Sequence, residues 1–186
     1  MAEITRAFEV INGMVEAGVI RQYAVAGAVA ALNYIEPTVT EDLDVLIALE
    51  DFGSPTSGIV TLGPLLSYLA NLGYSEFKKE GIVIDGWPVQ FLPVANSLDA
   101  ESLEQAIEVE VQTDGGGGPL RVKIMSAEHL VAIALKVGRA KDRERILRFV
   151  DAKALDWDRL KGVLERHDLM TDWNKFRTDN GIADLE

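Results

Sequence analysis

Ile4, Phe8, Ile11 and Val15 recur at helical spacing, so Ile4 to Glu16 predicts an amphipathic helix that Gly18 stops. A short β-branched and aromatic run, Tyr23-Ala24-Val25, predicts a strand; Gly27 then opens an alanine-rich helix from Ala28 to Tyr34, which Pro37 ends. Leu43 to Leu49 is a nearly unbroken apolar run and predicts another strand. Asp51 to Ser57, rich in Gly, Pro and Ser, reads as a loop, and Gly63-Pro64 has the form of a helix start, with the helix running to Gly73. Three short strands are expected next, Tyr74 to Lys78, Gly81 to Ile84 and Trp87 to Leu92, the last two joined by an Asp85-Gly86 hairpin turn. Leu98 to Ile107 predicts a helix capped by Ser97, and Asp114 to Pro119 a glycine-rich turn leading into a strand from Leu120 to Met125. Beyond Ser126 only helical stripes recur: Leu130, Ile133, Ala134 and Val137; Ile146, Leu147 and Val150; Trp157, Leu160, Val163 and Leu164. The expectation is an α/β (α+β) fold, with a mixed β-sheet and flanking helices in residues 1–125 and a helical subdomain packed on that core in residues 126–186.

Composition narrows the chemistry. The 186 residues, 48% hydrophobic and 26% charged, suffice for one sizeable core. The longest uncharged apolar stretch, Tyr23 to Leu32, falls far short of the ~20 residues that span a bilayer, and Glu3 stands where a signal peptide would be basic, so a cytoplasmic, non-membrane protein is expected. Without cysteine there is no disulfide, thiolate zinc site or cysteine nucleophile, and only His129 and His167 offer imidazole chemistry. A net charge of -12 argues against general affinity for a nucleic-acid backbone, while a local basic patch could still provide it.

One such patch stands out. From Lys136 to Lys153, seven basic residues face three acids, the reverse of the chain as a whole. It reads either as a phosphate-facing edge or as a solvated helix face. The glycine run before Leu120 lacks the Gly-Lys-Ser/Thr ending and the strand-to-helix setting of a phosphate loop, so it is read as a flexible turn.

The other candidate is Asp42 and Asp44. Residues two apart in a strand share a face, so both carboxylates would project together at the head of the Leu43 to Leu49 run. Mg²⁺ takes one or two carboxylates plus phosphates and water, which suits a metal-nucleotide. The Gly27 turn ahead of this strand would add helix N-terminal amides for phosphate oxygens. The plain alternative is that Gly27 only permits close helix packing and Asp42 only caps a loop; both stay open on these residues alone.

In order and spacing, Val25-Ala26-Gly27-Ala28, Thr40-Glu41-Asp42-Leu43-Asp44-Val45, Ser126-Ala127-Glu128-His129-Leu130 and then Lys136, Arg139 and Lys141-Asp142 resemble the minimal nucleotidyltransferases of the AbiEii-like toxin group, over most of the chain. The resemblance implies a nucleotidyltransferase-like fold. It further implies that Asp42 and Asp44 hold Mg²⁺ or Mn²⁺ and are the catalytic carboxylates. Gly27, Ala28, Lys136, Arg139 and Lys141 would bind the nucleoside triphosphate, with RNA, a protein or a small molecule as acceptor and an antitoxin as a partner. Three positions depart from the family pattern: Ala28 replaces Gly or Ser, Thr38 replaces an Arg, and neutral Gln90 falls where a third carboxylate is expected. Gln90 can offer an amide oxygen but cannot act as a carboxylate base. A non-catalytic, nucleotide- or partner-binding descendant of the same fold is therefore the competing expectation.

Overall fold

The computed structural model describes residues 4–37, 40–49, 62–113 and 118–183. Thr38, the expected loop from Asp51 to Ser57 and the glycine run from Asp114 to Gly117 lie outside the described residues. In chain order the elements are α1 (Ile4–Glu16), β1 (Ile20–Val25), α2 (Gly27–Ala31), β2 (Leu43–Leu49), α3 (Gly63–Asn71), β3 (Phe77–Lys78), β4 (Gly81–Ile84), β5 (Trp87–Pro93), α4 (Ser97–Glu104), β6 (Ile107–Val111), β7 (Leu120–Ile124), α5 (Ala127–Val137), α6 (Ala140–Asp151), α7 (Trp157–Arg166) and α8 (Met170–Asp179).

The strands form a seven-stranded mixed sheet in the order β3-β4-β5-β2-β1-β7-β6. β2 runs antiparallel to β1 and parallel to β5, and β1 runs parallel to β7. β2 is central because its side chains suit burial on both faces: Leu43, Val45 and Ile47 are fully buried and Leu46 and Ala48 nearly so. β1 and β7 meet in regular pairing only at Val25 and Ile124. Further along, side chains bridge the gap. Asn12 donates to the Arg121 carbonyl at 2.9 Å, and the Tyr23 hydroxyl donates to Asn12 at 2.6 Å while accepting from the Lys123 amide at 3.4 Å. One hydrophobic cluster extends from Ala7 in α1 through the sheet to Trp173 and Phe176 in α8, so the change to all-helical structure after β7 does not interrupt the core. No described helix is long and apolar enough to cross a membrane.

Several expected boundaries move. The helix expected to run from Leu98 to Ile107 ends at Glu104, and Ile107-Glu108-Val109-Glu110-Val111 becomes edge strand β6, which follows the period-two alternation of that segment. Asn96, not Ser97, caps α4: its side chain accepts from the Leu98 and Asp99 amides. α2 stops at Ala31 and continues only as turns to Tyr34, β3 shrinks to two residues, and α8 is an additional helix. The Asp85-Gly86 turn is as expected. Both residues have positive φ, +48° and +86°, the geometry that closes a two-residue hairpin with the twist of its strands.

Candidate functional site

Asp44 lies in β2 and Asp42 immediately precedes it. The Ala26 amide donates to the Asp44 carbonyl at 2.8 Å, which ties the β1–α2 turn to the start of β2. Gly27 then turns the chain at φ +60°, a left-handed conformation that side chains disfavour. It is constrained a second time by space: a Cβ there would collide with the Asp44 Oδ2 atom and lie 3.1 Å from its Cγ. Glycine thus lets the carboxylate rest against the turn. Ala28 follows in the first turn of α2, whose N-terminus receives no side-chain cap from Ala26.

The carboxylates are not alike. The Thr40 hydroxyl lies 3.1 Å from the Asp42 carbonyl and 3.2 Å from its Oδ1, steadying the residue from the preceding loop. Asp44 is part-buried, and burial first, then the charge of Asp42, raises its pKa above the ordinary aspartate value. Lys141, Arg145 and Arg139 act in the opposite direction without cancelling the rise.

Those cations come from the start of α6. Gly138, at φ +70°, ends α5 in a left-handed cap and lets the chain turn into Arg139. Asp142 is only 1% exposed and acts as their anchor: it accepts from Arg139 Nε at 2.7 Å and Nη2 at 3.3 Å, and Arg145 Nη1 lies 3.9 Å away. Lys141 and Arg145 are one helical turn apart and so occupy one side of α6. Lys136 is exposed in the last turn of α5. Arg145 belongs to the basic stretch recognised in the sequence but is not among the residues expected at the phosphate site; here it acts on Asp44 together with Lys141 and Arg139. Its i,i+4 spacing from Lys141 fits a solvated helix face equally well, so spacing alone does not assign it to the site.

Gln90 is paired in register with Asp44 across the parallel β2–β5 ladder, at the position expected from the sequence. Its Nε2 donates to Glu80 Oε2 at 2.9 Å. Glu80 belongs to the turn between β3 and β4, and the preceding residue, Lys79, pairs with Glu41 at 3.0 Å. Two successive turn residues therefore bond to β5 and to the segment just before Asp42. Among the described residues, no three His, Cys, Asp or Glu side chains are grouped as a metal cage would need.

A second charged cluster lies elsewhere, where α4 meets α5 and α7. Glu101 accepts from His129 Nε2 at 3.3 Å and His167 Nε2 at 2.7 Å, and both Arg166 Nε, at 3.1 Å, and Arg166 Nη2 bond to it. The outer nitrogens of the two rings meet serines: His129 Nδ1 is 2.9 Å from Ser126 Oγ, and His167 Nδ1 is 3.3 Å from Ser97 Oγ. The Arg166 hydrogen bond, followed by those of the histidines, outweighs burial and lowers the Glu101 pKa to about 2. Burial lowers that of His129 despite Glu101. A cavity of about 140 Å³ lined by Ser126, His129, Arg159 and Arg166 adjoins this cluster.

No protein-family model matches the chain, and no curated protein matches it in sequence. Solved structures match it in three dimensions. An antigenic nucleotidyltransferase-like protein from Paracoccidioides brasiliensis aligns with 81% of this chain and 75% of its own, at 16% identity and a TM-score of 0.50. The solution structure of the antibiotic-resistance factor ANT(2'')-Ia, described as revealing substrate-regulated conformation dynamics, aligns with 98% of this chain and 100% of its own, at 13% identity and a TM-score of 0.49. The first of these likenesses establishes a nucleotidyltransferase-like fold, and nothing finer.

Proposed function

We propose that this chain binds a metal-bound nucleoside triphosphate and transfers its nucleotidyl group to a hydroxyl of RNA, a protein or a small molecule. One observation carries the reading: Asp44, beside Asp42 and against a glycine with no room for a side chain, is part-buried with a raised pKa where three cations of α6 act on it. Perturbed carboxylates of this kind cluster at functional sites. A nucleotidyltransferase-like fold alone would not suffice, since one fold hosts many activities.

The donor set fits Mg²⁺ or Mn²⁺. A metal carried by a triphosphate needs only one or two protein carboxylates, which Asp42 and Asp44 supply, and a divalent cation relieves the repulsion between them. Such an ion would supply charge neutralisation at the phosphates. The Gly27 and Ala28 amides would orient phosphate oxygens, and Lys136, Arg139 and Lys141, with Arg145, would offset the charge of the departing pyrophosphate. Asp142 would hold Arg139 and Arg145 in place. The acceptor oxygen would attack the α-phosphorus in line with the leaving group.

The motif order through Gly27, Asp42, Asp44, Lys136, Arg139, Lys141 and Asp142 supports the finer proposal: an AbiEii-like toxin in the cytoplasm with an antitoxin partner, residues 1–125 forming the catalytic core and 126–186 a helical subdomain. Gln90, an amide in register with Asp44, favours one second reading, a nucleotide-binding pseudoenzyme. Equilibrium dialysis of each labelled triphosphate with Mg²⁺, Mn²⁺ or chelator tests the binding step. Metal-dependent retention that Asp44→Asn removes is expected; retention indifferent to both would overturn the site. Pyrophosphate release by the wild type then separates enzyme from pseudoenzyme.

A further inference from the structure

The fold leaves one proton without an acceptor. On the nucleotidyl-transfer reading, the attacking hydroxyl must lose its proton, and Gln90 at the third-carboxylate position cannot take it. Glu80 can. Its Oε2 is held 2.9 Å from Gln90 Nε2, and the Lys79–Glu41 pair at 3.0 Å fastens the same turn to the residue before Asp42. Strand order fixes the side of approach. β2 lies between β1, which leads into Gly27 and α2, and β5, beyond which lie β4 and the turn with Glu80. If the triphosphate rests on the Gly27 side, in-line displacement brings the acceptor from the opposite side, the side of Glu80.

We infer that Glu80, positioned by Gln90, is the general base for the acceptor hydroxyl; the inference rests on the nucleotidyl-transfer reading above. The acceptor O–H bond breaks with its proton passing to the Glu80 carboxylate. The acceptor oxygen bonds to the α-phosphorus, and the bond from that phosphorus to the bridging oxygen breaks, releasing pyrophosphate with the electron pair. The carboxylate lost from the third position is thus supplied from a neighbouring turn, with Gln90 as its holder.

The test uses the full chain with Mg²⁺ and, separately, Mn²⁺, measuring labelled-triphosphate binding and pyrophosphate release with water and with cell extract as sources of acceptor. Glu80→Gln is expected to bind as the wild type does and to release pyrophosphate ~10²–10⁴-fold more slowly. Gln90→Met should bind normally and show a smaller loss, since it frees Glu80 without removing it. A Glu80→Gln variant as fast as the wild type would overturn Glu80 as base and leave the transfer reading standing. A wild type that binds triphosphate but releases no pyrophosphate would also overturn it, leaving a nucleotide-binding protein. Failure of the wild type to bind any metal-triphosphate would overturn the transfer reading itself, and the assignment of Glu80 with it.

Discussion

Asp44 and Glu101 are both largely enclosed carboxylates, yet the protein treats them in opposite ways. Glu101 is saturated by Arg166, His167 and His129, and its pKa falls to about 2. Asp44 has a second carboxylate beside it and cations acting on it from α6, two of which, Arg139 and Arg145, already pair with Asp142; its pKa rises. The difference separates a carboxylate whose charge is fully paired from one whose charge its surroundings oppose. Natural sites accept such local cost where a ligand relieves it.

The largest effect expected from breaking this contrast is on stability at Glu101. Glu101→Gln removes the charge that organises three partners, and should cost about 2–3 kcal/mol, because hydrogen bonds to charged groups are worth ~1.5–3 kcal/mol each and Arg166 stays half-exposed. Thermal unfolding should then begin roughly 4–12 °C lower, with metal-triphosphate affinity unchanged. An unchanged melting temperature would show that the cluster holds nothing.

Gly27→Ala should come next, at about 1–2 kcal/mol for a side chain in left-handed backbone, with Asp44 forced away from the turn. Unlike Glu101→Gln, it should weaken both stability and metal-triphosphate binding, measured by denaturant melts and dialysis. Asp44→Asn should lower metal-dependent triphosphate affinity by at least about tenfold, ~1.4 kcal/mol. Its stability should stay level or rise, since the amide relieves repulsion from Asp42. Marked unfolding would instead give Asp44 a structural role.

The smallest effect is the dependence on pH, and the two carboxylates should differ in sign. Glu101, lowered from 4.5 to about 2, stabilises the fold above its unfolded pKa, and that contribution fades as pH falls from about 4.5 through 2. Asp44, raised above 3.8, favours the folded state while protonated, and that contribution is lost as pH rises from 3.8 through its elevated value. Chemical denaturation across this range, comparing the wild type with Glu101→Gln and with Asp44→Asn, should show the first gap closing and the second opening in the variant's favour, respectively, on acidification and on its reversal. A wild-type-minus-variant stability difference that shifts with pH in the same sense for both variants would remove the electrostatic contrast.

The same two regions explain what could be read from the chain. Gly27, Asp42 and Asp44 lie in one short segment, and their relation follows from strand alternation and a glycine turn. Gln90 required only the expectation of a neighbouring strand, which the hairpin through Asp85-Gly86 supplied. Glu101 was invisible because its partners, His129, Arg166 and His167, come from helices brought together by tertiary packing, with no local spacing to announce them. β6 was missed for a local reason: the apolar stripe from Leu98 carried the expected helix past Glu104 into a segment whose own alternation favours a strand. α8 has apolar residues at Trp173 and Phe176, but its burial depends on packing against α5 and α7.

The position of β1 between β2 and β7 has a consequence for the newborn chain. β2 follows β1 closely, but β7 and the α6 cations lie about a hundred residues further on. At synthesis rates of ~5–20 residues per second, Asp42 and Asp44 precede Lys141 and Arg145 by roughly 5–20 s. Through that interval one edge of β1 has no strand to cover it, and the two carboxylates have none of the α6 cations near them. The ribosome therefore releases the apolar strands and the acidic pair well before the segment that completes both, and any premature encounter between such chains falls within that window.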